Sequence, residues 1–187
     1  MDRIWFLTNS TYGTWLPGDR RGFVGHVADH RVEDSEDDHR IMHNLLGTPY
    51  DEDIPGLYTS AQNLMLGPPI ELTLEHATIA KLQFLETAKF RNWTILAGSI
   101  MWNHFHLVVG VWGDPDPGKI LGDFKSWGTR ALSKHFGEPA PKTWWTERGS
   151  KRKLPNESAC RTVIEYFLHK QPNPLVVWST ELASGAA

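Results

Sequence analysis

The longest apolar stretch, residues 95–111 (ILAGSIMWNHFHLVVGV), reads as two strands folded onto each other, with the connection near Trp102-Asn103. Asn at that point tolerates the unusual backbone a tight turn asks for. Residues 4–11 (IWFLTNST) are apolar and β-prone and predict an earlier strand that ends in turn-rich sequence around Gly13, Pro17 and Gly18. Between 72 and 92 the period lengthens: Leu74, Ala77, Ala80, Lys81, Phe84, Leu85 and Ala88 recur as a helical stripe, with Thr73 as a cap. A second helix is predicted over 119–136, with Ile120, Leu121, Phe124, Trp127, Ala131 and Leu132 turned inward and Lys125 and Arg130 outward. Residues 143–154 alternate bulky and polar groups and predict a last strand with a basic turn. Residues 156–171 predict a third helix with Ala159, Val163, Ile164, Phe167 and Leu168 on its apolar face, stopped by Pro172 and Pro174. This order predicts an α+β fold: an antiparallel sheet with helices packed on one face, close to the ferredoxin-like plan.

The pattern fails between 19 and 69, where Gly, Pro and acidic residues mix with His26, His30, His39 and His43. That stretch is expected to be an insertion, of loops and one short helix, into a single domain spanning 1–180, with 181–187 a disordered tail. The pairs His26/His30 and His39/His43 have the spacing of a zinc-binding helix face, but no cysteine or other strong ligand signature accompanies them.

Composition narrows the class. A chain of 187 residues with 40% hydrophobic and 22% charged residues suits one soluble globular domain, and no apolar run is long enough for a membrane span. The single cysteine excludes an internal disulfide framework, and with no secretory leader in the sequence a cytoplasmic location is expected. The net charge of −3 is not that of a typical nucleic-acid binder. Its distribution changes the picture: acidic residues crowd 29–38, whereas Lys142, Arg148, Lys151, Arg152 and Lys153 gather late in the chain.

The candidate chemistry sits at the hairpin and the last helix. Side chains alternate along a strand, so His104 and His106 share one face while Phe105, Leu107 and Val109 take the other. Two imidazoles on one face could pinch a metal ion; equally, they could merely line a half-buried strand. Tyr166 lies in the last helix. His169 and Lys170, three and four residues on, share its side, while Gln171 is rotated away if the helix stays regular. Two histidines with one amide or imidazole would leave positions open for a phosphate oxygen. A tyrosine could then attack in line to form a phosphotyrosine. A free tyrosine has a pKa of about 10, so it needs a nearby cation or base, and Lys170 is placed to serve. An ordinary surface tyrosine on an amphipathic helix fits the same pattern.

MWNHFHLVV at 101–109 resembles the His-hydrophobic-His strand of the HUH single-tyrosine transposases, and most of all the REP-associated tyrosine transposases, where Met-Pro-Asn-His-x-His-Leu is usual. The order of strand, helix, hairpin, a helix with Phe-Lys-Ser-Trp at 124–127 and a late tyrosine helix extends the resemblance over most of the chain outside the insertion. The resemblance implies that His104 and His106 hold a divalent metal, expected to be Mg²⁺ or Mn²⁺, and that Tyr166 cleaves single-stranded or hairpin DNA and becomes linked to its 5′ phosphate. It leaves two expected states, a homodimer in which one chain's tyrosine helix serves the other's histidines, and a monomer. There are two departures. Trp102 stands where the family has Pro. Lys170 stands four residues after the tyrosine, where the family tends to place a carboxamide ligand before a Pro. Gln171, which does precede Pro172, is therefore the expected third ligand, with His169 as the alternative. Lys125, Arg130, Arg148, Lys151, Arg152 and Lys153 are candidate DNA contacts, and Trp127, Trp144 and Trp145 could stack on unpaired bases. The rival expectation is a non-catalytic nucleic-acid-binding module that keeps the fold.

Overall fold

The computed structural model describes residues 1–21 and 54–180. His26, His30, His39, His43, the acidic run at 29–38 and the tail at 181–187 fall outside them. The chain divides into two compact units, one made of Met1–Thr14 with Leu66–Ala187 and the other of Trp15–Met65.

The larger unit is a five-stranded antiparallel sheet in the order β4-β1-β3-β2-β5, built from β1 (Arg3–Ser10), β2 (Thr94–Ile100), β3 (His104–Val111), β4 (Ser150–Lys153) and β5 (Val176–Ser179). Helix α2 (Leu74–Phe90) links β1 to β2, α3 (Pro117–Phe136) links β3 to β4, and α4 (Glu157–His169) precedes β5. The first four strands and their two crossover helices therefore follow the ferredoxin-like plan, with β5 added on the β2 edge. In the smaller unit α1 (Pro55–Asn63) is the described helix; Gly18, at φ +82°, sits against the backbone of Ile54 and Tyr58, where any side chain would collide.

Both faces of the sheet are covered, which corrects the expectation of helices on one face. Leu7, Ile100, Phe105, Leu107, Val109 and Val111 join the α2 and α3 residues Ala77, Ala80, Phe84, Ile120, Phe124 and Leu132 in the main core. On the reverse face Leu96, Ala97 and Val108 pack with Cys160, Val163, Ile164 and Phe167 of α4, with Ile4 and Phe6 of β1 against them. Double coverage explains the unbroken apolar run in β3, because a strand exposed on one face would alternate with polar residues.

Local chemistry fixes the ends. Thr73 caps α2: its hydroxyl accepts from the His76 amide at 3.4 Å and its own amide donates to His76 Nδ1 at 3.1 Å, a capping box with His in the place of Glu. Asn156 caps α4 by accepting from the Ala159 amide at 2.9 Å. Several expectations need correction. Leu74 and Leu85 lie on the exposed side of α2. Trp127 is exposed as well, with the Arg130 guanidinium 4.5 Å above its ring. The strand expected over 143–154 shrinks to Ser150–Lys153, because Trp144 and Trp145 turn into the core as a loop instead, Trp144 Nε1 donating to Ser133 Oγ at 2.9 Å. Buried, those two rings are not available to stack on bases. Finally, β5 has only four residues after two prolines, too little signal to be read as a strand.

β5 is seated by its aromatic. Gly98 of β2 pairs with Trp178, and a Cβ at Gly98 would run into the Trp178 ring. Replacing Gly98 by Ala should therefore cost about 1–3 kcal/mol in a urea unfolding experiment; an unchanged midpoint would show that Trp178 is free to move aside.

Candidate metal-binding site

The site grows from the pairing of β1 with β3. In that register Thr8 lies opposite His106 and Ser10 opposite His104, so these four residues share the α4 side of the sheet, with Ser99 of β2 across from His106 on the other flank. The alternation places Phe105, Leu107 and Val109 in the main core, as expected, and presents both imidazoles towards α4.

The two rings meet edge to face, with Nε2 of His104 and Nε2 of His106 3.0 Å apart. Each outer nitrogen is held. His104 Nδ1 is 2.6 Å from Asn103 Oδ1. An amide oxygen only accepts, so the imidazole carries its proton there and leaves Nε2 a bare lone pair. His106 Nδ1 is 2.7 Å from Thr8 Oγ1, a hydroxyl that can accept or donate. If it accepts, two lone pairs face each other and a cation between them is strongly favoured. If it donates, His106 Nε2–H donates to His104 Nε2. The same geometry thus serves as a closed hydrogen bond or as a chelate. Two nitrogens bound to one ion at about 2.1 Å lie about 2.9–3.4 Å apart, so the observed separation fits.

Packing restrains the rings further. Phe167 of α4 stacks on His106 at 5.2 Å and 16°, and Phe6 lies 5.4 Å away. These apolar neighbours strip water from the imidazoles. Burial pushes His104 down to about 4, and burial together with the adjacent His104 holds His106 well below its usual range. Both are neutral at physiological pH, the form that binds metals.

The α4 side chains that cover the site belong to the expected apolar stripe, except that Leu168 is exposed. Val163, Ile164 and Phe167 face the sheet, whereas Tyr166, at 45% exposure, and His169 and Lys170 point outward. Among the described residues no third His, Cys, Asp or Glu joins the imidazole pair, and His169 is no exception. Gln171 differs. Regular helix ends at His169, so the five-residue offset from Tyr166 no longer dictates its direction, and its Oε1 is buried without a hydrogen-bond partner. A buried, unpartnered carbonyl oxygen just beyond the helix that roofs His106 is a suitable hard donor for a divalent ion.

The basic residues divide between the faces. Lys151 and Lys153 pair with Leu7 and Trp5, on the α2/α3 side, while Arg152 pairs with Phe6, on the histidine side, and its Nε is buried without a hydrogen bond. Lys125, expected outside, is tied down: its ammonium donates to Thr146 O at 2.7 Å and Glu147 O at 2.6 Å. With Arg130, Ser126, Thr129 and Thr143 it borders a shallow depression of about 450 Å³. Arg148 is exposed in the loop before β4. Sequence reasoning missed Thr8, Asn103, Phe6 and Phe167. Asn103, read as a turn former, has no left-handed backbone and instead is buried beside His104; adjacency to the histidine was its only signal. Thr8 could be found only with the strand register in hand.

No protein-family model matches the chain, and no curated protein does. Among solved structures the chain is similar to the one described as "Structure of the REP associates tyrosine transposase bound to a REP hairpin", at 18% sequence identity and a TM-score of 0.43. The match covers 88% of this chain and 64% of that one, so the chain spans less than two thirds of the other's length. Among the described residues no helix is long and apolar enough to cross a membrane.

The depressed imidazoles set a pH dependence of folding. The unfolded chain takes up protons near pH 6.5, the folded one only near 4 at His104, so this stabilisation is complete above about pH 6.5 and drains as pH falls towards 4. With chelator present, urea unfolding should lose on the order of 2 kcal/mol between pH 7 and pH 5 from His104. The loss should shrink in His104→Gln; a stability that is flat over that range would contradict the burial of the pair.

Proposed function

We propose that the chain nicks and rejoins single-stranded DNA, at hairpin ends of a mobile or repeated element, through a metal-dependent 5′-phosphotyrosine intermediate. The observation that carries the reading is the imidazole pair, with Nε2 atoms 3.0 Å apart and both Nδ1 atoms anchored by neighbouring side chains. The resemblance of residues 101–109 to the HUH single-tyrosine transposases supports it. His104 Nε2, His106 Nε2 and Gln171 Oε1 would hold the ion, with Mg²⁺ or Mn²⁺ suited to the phosphate chemistry. A bound divalent ion there supplies charge withdrawal from the scissile phosphate.

The protein's own groups do the rest. Asn103 and Thr8 hold the imidazoles in orientation, and Phe6 and Phe167 keep water from them. Tyr166 Oη attacks phosphorus in line, the O–P bond to tyrosine forming as the P–O3′ bond breaks. The phenolic proton passes to solvent and the departing 3′ oxygen gains one in turn. Lys170, one turn on, provides positive charge for the developing phenolate, and the exposed position of Tyr166 leaves its oxygen open to an incoming strand. Reversal by the 3′ hydroxyl rejoins the strand. Arg152, on the histidine face, is the basic residue of the candidate set best placed to meet the DNA backbone there.

The outward direction of Tyr166, His169 and Lys170 also favours a second reading, a nucleic-acid-binding module without turnover. A labelled single-stranded hairpin library with Mg²⁺ or Mn²⁺ separates the two. Under the first reading a covalent adduct to the 5′ phosphate forms and disappears with chelator and in Tyr166→Phe. Binding without any adduct in either metal selects the second. Calorimetry with Mn²⁺ tests the centre separately: His104→Ala or His106→Ala should abolish measurable binding, and Gln171→Ala should weaken it about tenfold or more. Full affinity in Gln171→Ala would remove that residue from the site.

A further inference from the structure

Nine tryptophans are too many for a core of this size to hide, and where each one goes separates structural rings from available ones. Trp144 and Trp145 are buried, Trp5 packs against the main core, Trp93 packs on Phe124 at 5.7 Å, Trp15 lies under Arg21, Trp127 under Arg130 and Trp178 under Lys81. Two exposed rings, Trp102 at 42% and Trp112 at 59%, enter no aromatic or cation–π contact among the described residues. They lie just beyond opposite ends of β3, whose eight residues at 3.3 Å per residue span roughly 23 Å. Trp102 is at the histidine end.

Its backbone is held from both sides. Leu72 N donates to Trp102 O at 2.6 Å, Met101 N to His104 O at 2.8 Å and Thr11 N to Asn103 O at 2.8 Å. The turn is therefore fixed to the start of α2, to β3 and to the end of β1. A pinned turn carrying a half-exposed indole presents a large flat apolar surface that the fold does not use, and ordering a Trp with only two side-chain torsions costs little entropy. Only Asn103 separates it from His104, so their Cα atoms lie within about 7 Å, close to two stacked nucleotides at about 3.4 Å each.

We propose that Trp102 is a stacking platform for one unpaired nucleobase next to the phosphate bound at the histidine pair; the proposal rests on the single-stranded-DNA reading above. A base in a duplex has both faces covered, whereas an unpaired one gains from lying on an indole. Any of the four bases offers such a face, so Trp102 selects for unpaired structure at one position rather than for sequence.

The test is binding of a single-stranded hairpin oligonucleotide, in Mn²⁺, with an abasic site walked one position at a time along its unpaired segment. Wild type, Trp102→Ala, Trp102→Phe and Trp112→Ala are compared by fluorescence anisotropy. Trp102→Ala should weaken binding about tenfold, one abasic position should weaken wild type by a similar factor, and that position should cost Trp102→Ala nothing more. Trp102→Phe should recover most of the affinity, and Trp112→Ala should match wild type. Calorimetric Mn²⁺ affinity should be unchanged in Trp102→Ala, which separates lost stacking from a damaged metal site. Losses that add at every abasic position, or no loss in Trp102→Ala, would overturn the stacking role while leaving the DNA reading in place. Failure of wild type to bind any oligonucleotide would overturn both.

Discussion

The site depends on the pairing of β1 with β3 in one register. Successive residues of a strand face opposite ways, so a slip of one would carry His104 and His106 into the main core and bring Phe105, Leu107 and Val109 out to α4. It would also place Asn9 rather than Thr8 beside His106. Register is pinned because β3 is buried on both faces: Phe105 and Leu107 lie within the cluster around Phe84 and Phe124, and Val108 lies within the cluster around Ile164 and Phe167. The apolar packing that stabilises the fold therefore also orients the two polar rings.

Burying two imidazoles in such a setting carries an electrostatic cost that the structure limits in a particular way. Each ring is neutral, each outer nitrogen has a partner, and the two Nε2 atoms meet 3.0 Å apart, where they can share a hydrogen bond or an ion. A charged pair at this depth would lose hydration with no carboxylate to compensate, since no acidic residue joins the pair among the described residues. Neutrality has a functional side as well. An ion entering the site need not displace protons from imidazolium groups, so its affinity should change little over the physiological pH range.

Much of the architecture could be read from residue patterns, because long elements average over many positions. The helices α2 and α3, the 95–111 hairpin and the end of α4 at the prolines all follow from periodicity and breakers. The short elements did not follow. β5 offers four residues, and the ladder of β4 is confined to Ser150–Lys153 because Trp145 fills the core beside Phe84 and Phe105, and Trp144 beside His76 and Phe136, rather than extending a strand. The imidazole pair was readable as a candidate from its spacing alone. What converts the candidate into an organised centre, Thr8 across the sheet, Asn103 next door and Phe167 on the roof, involves residues far apart in sequence or of types with many commoner uses. The placement of α4 on the reverse face was hidden for a related reason: an apolar helix stripe says that it is buried, not against which side of a sheet.

The division of the sheet into two faces also orders the charges. On the α2/α3 face lie Lys151 and Lys153 at the β4 edge, with Lys125 held by the Thr146 and Glu147 carbonyls; on the histidine face β4 contributes only Arg152. A basic strand can therefore serve two surfaces at once through simple alternation. Under the proposed function, phosphate attraction would be spread over the edge of the sheet, while the residues that could distinguish one position of a strand from the next, the imidazole pair and an indole on the adjoining turn, are concentrated at the end of β3. Charge acts over roughly a Debye length of about 8–10 Å and discriminates little, whereas stacking and coordination act at contact. On that reading, long-range attraction at the edge and contact recognition at the turn would let a protein of net charge −3 meet a polyanion at one local surface.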